Sequence, residues 1–372
     1  MSKLISVVWY KVFPAEFGGQ KGVAEFTQYL SRLIPVHIIC SQNNNWYNEM
    51  FTGEKLLPTD KLQFIKRKTY KIIEDAIVSQ KPSSLLLEHP YYGWHGVRLT
   101  KKFKLNLIVR SHNIEFDRFK KLGKWWWPFL YFLERYTHRH AQLSLFKTNE
   151  DRDLAIRHFQ LDPDKTMLAP IGMKRKHPPL TKEKVNARNT LVTKHNIHPE
   201  HKILLFNGTL DYAPNALALK HIVEEILPIL AEQRKDFTLL VTGRNEKPLF
   251  NWINKLQHPN MIQVGYVNNV SPYFLGADIF LNSVSNGGGM KVKLVEALEN
   301  DLTVISYRTA ANGIDPSLCG KKLTIVPDNE VHAFVQAIQE KWTTHEPIPP
   351  FFFDSYHWEK IVKEVVERID IL

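Results

Sequence analysis

The stretch ADIFLNSVSNGGGMKVKLVEAL, residues 277–298, joins a short apolar run to three consecutive glycines and then to a run that contains two lysines. The apolar residues before the glycines are typical of a buried strand, and those after them recur at helical spacing. Glycine buries no side chain and costs about 0.5–1 kcal/mol against alanine inside a regular element. We therefore predict a strand, an exposed backbone turn and a helix, in that order.

The same alternation of strand-like and helix-like runs continues on both sides of this stretch. It is typical of parallel α/β units, and it weakens across residues 173–199, which are rich in Lys, Pro, Thr and Asn. We predict an α/β protein with two Rossmann-like, doubly wound domains, residues 1–172 and 200–350, that face a cleft. Residues 173–199 are predicted to be a linker and exposed segment, and 351–372 an amphipathic C-terminal helix.

Composition and cysteine usage limit the class of protein. No segment reaches the ~18 uncharged apolar residues of a membrane span, and the N-terminal MSKLISVVWY is typical of a first strand and not of a signal peptide. These features predict a cytoplasmic protein. Cys40 and Cys319 lie next to apolar runs, which favours two buried reduced thiols over a disulfide or a metal pair.

The formal net charge of +11 at pH 7 favours partners that carry phosphate groups, such as nucleotides, nucleic acids or anionic lipids. The chain has no zinc-finger spacing, no aromatic signature of an RNA-recognition motif and no continuous basic helix. We therefore expect no nucleic-acid partner.

The glycine segment is predicted to bind phosphate. It follows a strand and opens a helix, and helix N-termini present unpaired N–H groups that favour anions. Gly288 and Gly289 would let the backbone approach a ligand, while Lys291 and Lys293 fall in the first turn, where the helix dipole disfavours cations. A glycine turn followed by a solvated lysine face would explain the glycines and Lys291, but it leaves the placement of two lysines without a reason.

A histidine and a carboxylate follow two strands of the first predicted domain. His112 in VRSHN comes directly after the strand LNLIV, and Glu88 and His89 come at the end of SLLLE. Carboxyl ends of parallel strands meet at one edge of a sheet, where ligands bind in such folds. His112 is thus a candidate active-site residue, with a structural histidine as the alternative, and Glu88 and His89 are candidates for the acceptor side.

Several segments in one order resemble GT-B fold glycosyltransferases of family 4. They are FNGTLDYAPNALALKHIVEEILPIL, VTGRN, HPNMIQVGYVNNVSPYFLGADIFLNS and NGGGMKVKLVEAL, within Ile203–Ile314, and more loosely EFGGQKGVAEF, RSHNIEFDRF and LERYTHRHAQLSLFKTNEDRD before them. The resemblance covers most of the chain. It implies a retaining, metal-independent enzyme that moves a sugar from a nucleoside diphosphate sugar to the hydroxyl of a saccharide or lipid-linked acceptor, as in polysaccharide, lipopolysaccharide or glycolipid synthesis. It implies no cofactor beyond this donor.

The resemblance also assigns roles to individual residues. Lys293 matches the lysine that neutralises the leaving diphosphate, Glu296 the glutamate that accepts from the ribose hydroxyls, and His112 the active-site histidine. The remaining implied residues bind the nucleotide through their backbone or lie in its glycine loops: Gly18, Gly19, Gly208, Gly265, Tyr266, Val267, Gly288 and Gly289, with Lys291 as a further phosphate candidate.

The sequence departs from the family pattern in two places. The family's first glutamate would stand eight residues before Glu296, where this chain has Gly288, and no Arg–Lys pair follows Gly208. A subgroup with GGGxxxK and no early glutamate accounts for both departures. Two alternatives stay open: a sugar-nucleotide epimerase on the same fold, and a non-catalytic sugar-nucleotide-binding subunit.

The segment KKLGKWWWPFLYFLERY, residues 120–136, combines three tryptophans with preceding lysines. Aromatic side chains favour the interface of a bilayer, and lysines are attracted to anionic headgroups. The segment therefore predicts peripheral binding to the inner face of a membrane. The alternative is that Trp126, Leu130 and Leu133 face the core at helical spacing and the other residues are solvated.

Overall fold

The protein is described by a computed structural model at residues 3–16, 18–47, 49–60, 62–286, 290–344 and 346–372. These residues form two compact units. The first runs to Gly172 and includes the C-terminal Tyr356–Leu372, and the second begins at Met173 and ends at Ser355, apart from Met290, which clusters with the first.

The first unit is a parallel sheet with helices between its strands. Its strands are β1 (Leu4–Val8), β2 (Val36–Ser41), β3 (Thr52–Leu57), β4 (Ser84–Glu88), β5 (Asn106–Ser111), β6 (Leu143–Phe146) and β7 (Thr166–Leu168). Its helices up to Gly172 are α1 (Gly18–Leu30), α2 (Arg67–Gln80), α3 (Gly93–Phe103), α4 (Glu115–Lys121), α5 (Trp127–His140) and α6 (Asn149–Phe159). Every residue of β1 and β4 is buried, as expected for strands covered on both faces.

The second unit repeats this architecture. Its strands are β8 (Lys202–Asn207), β9 (Phe237–Thr242), β10 (Met261–Gly265), β11 (Ile279–Asn282), β12 (Thr303–Tyr307) and β13 (Leu323–Val326). Its helices are α7 (Thr181–His195), α8 (Ala213–His221), α9 (Leu227–Gln233), α10 (Ser271–Gly276), α11 (Val292–Glu299) and α12 (Val331–Glu340), and a π-helical turn, Ile222–Ile226, joins α8 to α9.

The strand order of each sheet reverses once. The order is β3-β2-β1-β4-β5-β6-β7 in the first unit and β10-β9-β8-β11-β12-β13 in the second, with parallel neighbours throughout. The reversals lie between β1 and β4 and between β8 and β11. In open α/β sheets a ligand binds beyond the carboxyl ends of the strands at such a point.

The predicted linker is largely helical and belongs to the second unit. Residues 173–199 contain α7, whose Arg188 Nη1 donates to Asp278 Oδ2 at 2.6 Å, while Lys184 Nζ pairs with Asp301 Oδ2 at 3.1 Å. Leu191 is the one buried residue of α7, all of which the structure describes. A helix held by ion pairs and one leucine has no apolar periodicity, which explains why the sequence predicted an exposed linker.

The predicted C-terminal amphipathic helix is confirmed. After α13 (Pro350–Tyr356), α14 (Trp358–Asp370) packs on α1, where the Trp358 indole Nε1 donates to Glu25 Oε2 at 2.9 Å and its ring meets Phe26 edge-on at 6.3 Å. A Cβ on Gly172 would lie 2.4 Å from the Trp358 ring. The end of the chain thereby completes the core of the first unit.

We expect Trp358→Ala to lower the free energy of unfolding of the first unit by about 3–5 kcal/mol, because the ring is fully buried and its loss leaves a cavity. Ile371→Ala, on the same C-terminal segment but 70% exposed, is the control and should change stability by less than about 0.5 kcal/mol. Urea unfolding followed by circular dichroism measures both. Equal stability of the two variants would contradict the packing described above.

Candidate functional site

In the second unit, glycines terminate three neighbouring strands. Gly208 follows β8, Gly243 follows β9 and Gly265 ends β10. Gly208 N donates to Thr242 O at 3.0 Å, and Gly243 N donates to Gly265 O at 2.9 Å. A Cβ on Gly243 would lie 1.9 Å from Gly208 O. The backbones therefore approach too closely for side chains, and peptide groups form this edge of the sheet.

Lys293 and Asn215 connect the two helices that start at the reversal point. β8 leads to α8 and β11 to α11, and the two strands are adjacent, with Ile279 paired to Leu204. Lys293 Nζ donates to Asn215 Oδ1 at 3.0 Å. A cavity of about 170 Å³ lies beside α8 and residues 283, 285 and 286. The N-termini of two helices therefore lie beside an ammonium group, an arrangement that favours anions.

Among the described residues, Lys293 has no counterion for its ammonium group. It is half-buried, its Nζ lies 5.2 Å from the centroid of the Phe206 ring, and within the described ranges it forms no ion pair. Desolvation and then repulsion from Lys291 lower the pKa of Lys293 to about 7. A bound anion would remove both penalties, since opposite charge favours the ammonium form.

The other predicted residues of this unit lie around the same edge. Glu296 is half-buried on α11, one turn beyond Lys293, and Lys291 is the residue before α11. Tyr266 is exposed and Val267 half-buried after β10. Gly288 and Gly289 lie outside the described residues.

In the first unit, three adjacent strands bring together a buried network of four charged or titratable side chains. Glu88 ends β4, Arg110 and His112 lie at the end of β5, and Lys147 follows β6; none is more than 5% exposed. Arg110 Nη1 donates to Glu88 Oε1 and Oε2 at 3.1 and 3.2 Å, and its Nη2 donates to Gly22 O on α1 at 3.1 Å. His112 Nε2 lies 2.6 Å from Glu88 Oε2, and Lys147 Nζ lies 3.0 Å from His112 Nδ1.

Burial controls the protonation of this network. It holds the pKa of His112 well below its usual value, and the positive charges of Lys147 and Arg110 lower it further. Burial and then Arg110 lower the pKa of Lys147 to about 7. Burial and the nearby positive charges both favour the neutral imidazole form of His112.

His89 stacks on His112, with ring centroids 4.0 Å apart. Its φ of 72° is in the left-handed region, which is unusual for a residue with a side chain. Burial, then the neighbouring His112 and Lys147, hold the pKa of His89 well below its usual value. Such backbone strain concentrates at functional sites. The predicted Gly18 and Gly19 begin α1, which Arg110 contacts at Gly22.

Sequence reasoning missed Lys147, Arg110, Asn215 and Gly243 as members of these clusters. A lysine directly after the buried strand LSLF was the available signal for Lys147, because its charge must lie at the sheet edge. Asn215 gave no such signal, since an asparagine near a helix start is common.

No group of three or more His, Cys, Asp or Glu side chains in the described part of the chain is arranged to hold a metal ion. None of the helices traced there is long and apolar enough to cross a bilayer. Cys40 and Cys319 are both buried free thiols.

Part of the second unit is similar in sequence to a known protein family. Residues 201–343 match the family described as "Glycosyl transferases group 1", while no curated protein matches the sequence.

Among solved structures, a glycosyltransferase from Rickettsia africae superposes with a TM-score of 0.73 at 14% identity, covering 99% of this chain and 98% of that one. Anabaena HepE in complex with UDP-glucose gives 0.72 at 11% identity, covering 100% of both chains. Sucrose-phosphate synthase from Thermosynechococcus elongatus superposes with a TM-score of 0.68 at 14% identity, covering 100% of this chain and 94% of that one. The predicted fold is confirmed: the chain has the GT-B fold, and its second unit contains the segment that matches the glycosyltransferase family.

Proposed function

We propose that the protein is a retaining, metal-independent glycosyltransferase that moves a sugar from a nucleoside diphosphate sugar to an acceptor hydroxyl. The observation that carries this proposal is Lys293, a half-buried ammonium at the start of α11 without a carboxylate partner among the described residues. The family match over residues 201–343 supports it, as does the UDP-glucose bound by the structurally similar HepE.

Lys293 acts on the leaving group. Departure of a nucleoside diphosphate builds negative charge on its phosphate oxygens, and a preformed cation stabilises that charge in the transition state. The N-terminus of α11 adds partial positive charge at the same place. Together they supply what a divalent cation supplies in metal-dependent transferases.

The nucleoside lies along the glycine-lined edge in this proposal. Glu296 accepts hydrogen bonds from the ribose hydroxyls, and the backbone at Gly265, Tyr266 and Val267 contacts the base. Gly208 leaves room for the phosphates. Gly288, Gly289 and Lys291 complete the phosphate contacts in this proposal. Gly18 and Gly19 are proposed as a glycine loop of the first unit.

We further propose a cytoplasmic enzyme of polysaccharide, lipopolysaccharide or glycolipid synthesis that uses a saccharide or lipid-linked acceptor. No cofactor other than the donor is needed. A sugar-nucleotide epimerase and a non-catalytic binding subunit are the alternatives, and the experiment below distinguishes all three.

The first test is a donor panel. One class of UDP-, GDP-, ADP- or CDP-sugar is expected to raise the unfolding free energy by about 2.7 kcal/mol at 100 times its dissociation constant.

The second test is turnover of that donor. With an acceptor and with EDTA present, the same donor should yield a product that keeps the anomeric configuration, read by NMR. Lys293→Ala should abolish transfer with little loss of stability. Lys235→Ala, at an exposed position, is the control and should leave transfer unchanged. Binding without transfer would indicate a binding subunit, and conversion of the donor sugar without acceptor an epimerase.

The pH dependence of nucleotide binding tests Lys293 directly. Its pKa in the free protein is about 7, lowered from 10.5, and a bound diphosphate raises it. Above pH 7 the free protein must therefore take up a proton on binding, and affinity should fall by up to about tenfold per pH unit. Below pH 7 Lys293 is already protonated and its contribution is constant. Calorimetry should show this fall in the wild type and Lys235→Arg but not in Lys293→Arg, and a flat wild-type profile would contradict the assignment.

An exposed aromatic surface supports a membrane partner. Trp125 is 86% exposed and Phe132 66%, and Leu122 and Phe129 are also exposed. Leu130 and Leu133 face the core as the alternative expected, but Trp126 is 37% exposed and stays largely outside it. Large exposed apolar patches mark interaction sites.

The charges around this surface select the kind of membrane. Lys120 and Lys124 are exposed beside the aromatic rings, with Nζ atoms 5.0 Å from the Trp127 and 5.8 Å from the Trp126 ring centroid, while the exposed Lys121 pairs with Asp117 at 2.7 Å. Glu134, the acidic residue of α5, is buried and accepts from backbone N–H groups at the start of α4. The surface is therefore apolar with a cationic margin, which is complementary to an anionic bilayer.

Vesicle co-sedimentation tests this surface. Binding to anionic but not to neutral vesicles is expected at low salt, with attraction of about 1 kcal/mol per nearby basic residue. Trp125→Ser with Phe132→Ser should weaken binding at least about tenfold, since each ring loses buried apolar area. Leu249→Ser, an exposed residue of the second unit, is the matched control. Equal binding of the double variant and the wild type would exclude the aromatic surface.

A further inference from the structure

We propose that Lys147 and Glu88 hold His112 as a neutral imidazole with its proton on Nε2, and that Lys147 is a positioning residue for the transfer reaction. The part concerning the reaction rests on the proposed function. The part concerning the ring does not, and it can be tested without donor or acceptor.

The hydrogen-bond geometry determines where the proton lies. Glu88 is paired with Arg110 through both carboxylate oxygens and can only accept. His112 Nε2, 2.6 Å from Glu88 Oε2, must therefore carry the hydrogen. Nδ1 then has the lone pair, and it accepts from Lys147 Nζ at 3.0 Å. The donors run in one direction, from Lys147 through His112 to Glu88.

The charge balance keeps the ring neutral. Below the Lys147 pKa of about 7, Arg110 and Lys147 contribute two positive charges against the single carboxylate of Glu88, so an imidazolium would be a third cation in a buried site. Lys147 itself forms no ion pair with any residue that the structure describes. The other titratable or charged groups that face the network come from the segments after β1 and β4 and from α4 and α6: Tyr10, His89, Glu115, Arg118 and Asp151.

The network also positions α1 against the strands. Arg110 donates to Gly22 O, and Lys147 Nζ lies 3.6 Å from the place where a Cβ on Gly22 would be. α1 begins at Gly18 and Gly19. A change at Lys147 therefore reaches both the His112 ring and the helix that carries the first glycine loop.

This arrangement implies a specific role for His112. Both ring nitrogens are occupied by protein partners, and one ring face is covered by His89. The ring then works as a fixed neutral group, and proton transfer through it would require Glu88 and Lys147 to change partners. Lys147 holds the ring in this state before substrate binds, and such preorganisation contributes to catalysis.

NMR of the full-length protein with ¹⁵N-labelled histidine tests the assignment. In the wild type, His112 should show a protonated Nε2 and an unprotonated Nδ1 with no titration from pH 5.0 to 6.5, a range below the Lys147 pKa of about 7. Lys147→Met removes a donor and a positive charge beside Glu88, so the pKa of His112 should rise and its titration should move toward this range. Lys147→Arg should keep the wild-type spectrum.

His138 is an internal control in the same spectra. It is buried between the hydroxyls of Ser111 and Ser144, each 2.9 Å from a ring nitrogen, and burial lowers its pKa to about 3. Its signals should not respond to Lys147→Met. His112→Gln and His138→Gln assign the resonances.

The outcomes separate the two proposals. A protonated Nδ1 on wild-type His112, or a titration within this range, overturns the inference even if Lys147→Met fails to fold. If the enzyme transfers sugar, Lys147→Met should lower kcat at least about tenfold, with recovery in Lys147→Arg. An unchanged kcat in Lys147→Met would show that Lys147 has no role in the reaction. Absence of transfer in the wild type would refute the proposed function, and the NMR spectra alone would then test the protonation of the His112 ring.

Discussion

An ammonium group partly or fully removed from water, with no carboxylate paired to it among the described residues, is the interaction on which both candidate clusters depend. Lys147 in the first unit and Lys293 in the second each donate to a neutral acceptor, His112 Nδ1 and Asn215 Oδ1. Desolvation lowers the pKa of both lysines to about 7. Removing a cation from water without an ion pair is unfavourable, so both positions need a reason outside the stability of the fold.

The two lysines differ in what surrounds them, and this difference separates their roles. Lys147 is connected through His112 to Glu88, so an anion lies within the network although not in direct contact. Lys293 has an amide, an aromatic ring and a second lysine nearby. The first cation is internally compensated and suited to holding a side chain in place. The second lacks that compensation and is suited to binding an anionic ligand.

The fold could be predicted because parallel strands covered on both faces are continuous apolar runs that end abruptly. β8, β9 and β11 are of this kind, and the glycines at 208 and 265 were visible as strand ends. β3, with exposed and half-buried residues, and the three-residue β7 were not predicted, since an edge strand has little apolar signal. The helix α7 within residues 173–199 was not predicted because it is held by ion pairs, which have no periodic pattern in the sequence.

Site residues could be predicted where the residue type and its place in the sequence were sufficient. Their hydrogen-bond partners could not be predicted, because these come from distant segments of the chain. His112 follows a recognisable strand and Lys293 lies in the first turn of a recognisable helix, whereas Asn215 is 78 residues from Lys293 and Lys147 is 35 residues from His112. The pairing of such residues follows from strand order, with β8 beside β11 and β5 beside β6. Sheet order is a tertiary property that local patterns do not contain.

The neutral partner of Lys293 gives its charge a consequence. The ammonium donates to the amide oxygen of Asn215, and an amide carries no formal charge that could neutralise it. A carboxylate in the place of that amide would pair with the ammonium before any ligand arrived, and an anion would have to displace that pair. With the amide there, the charge remains available to an anionic ligand, and desolvation, which lowers the pKa of Lys293, is offset only when such a ligand binds.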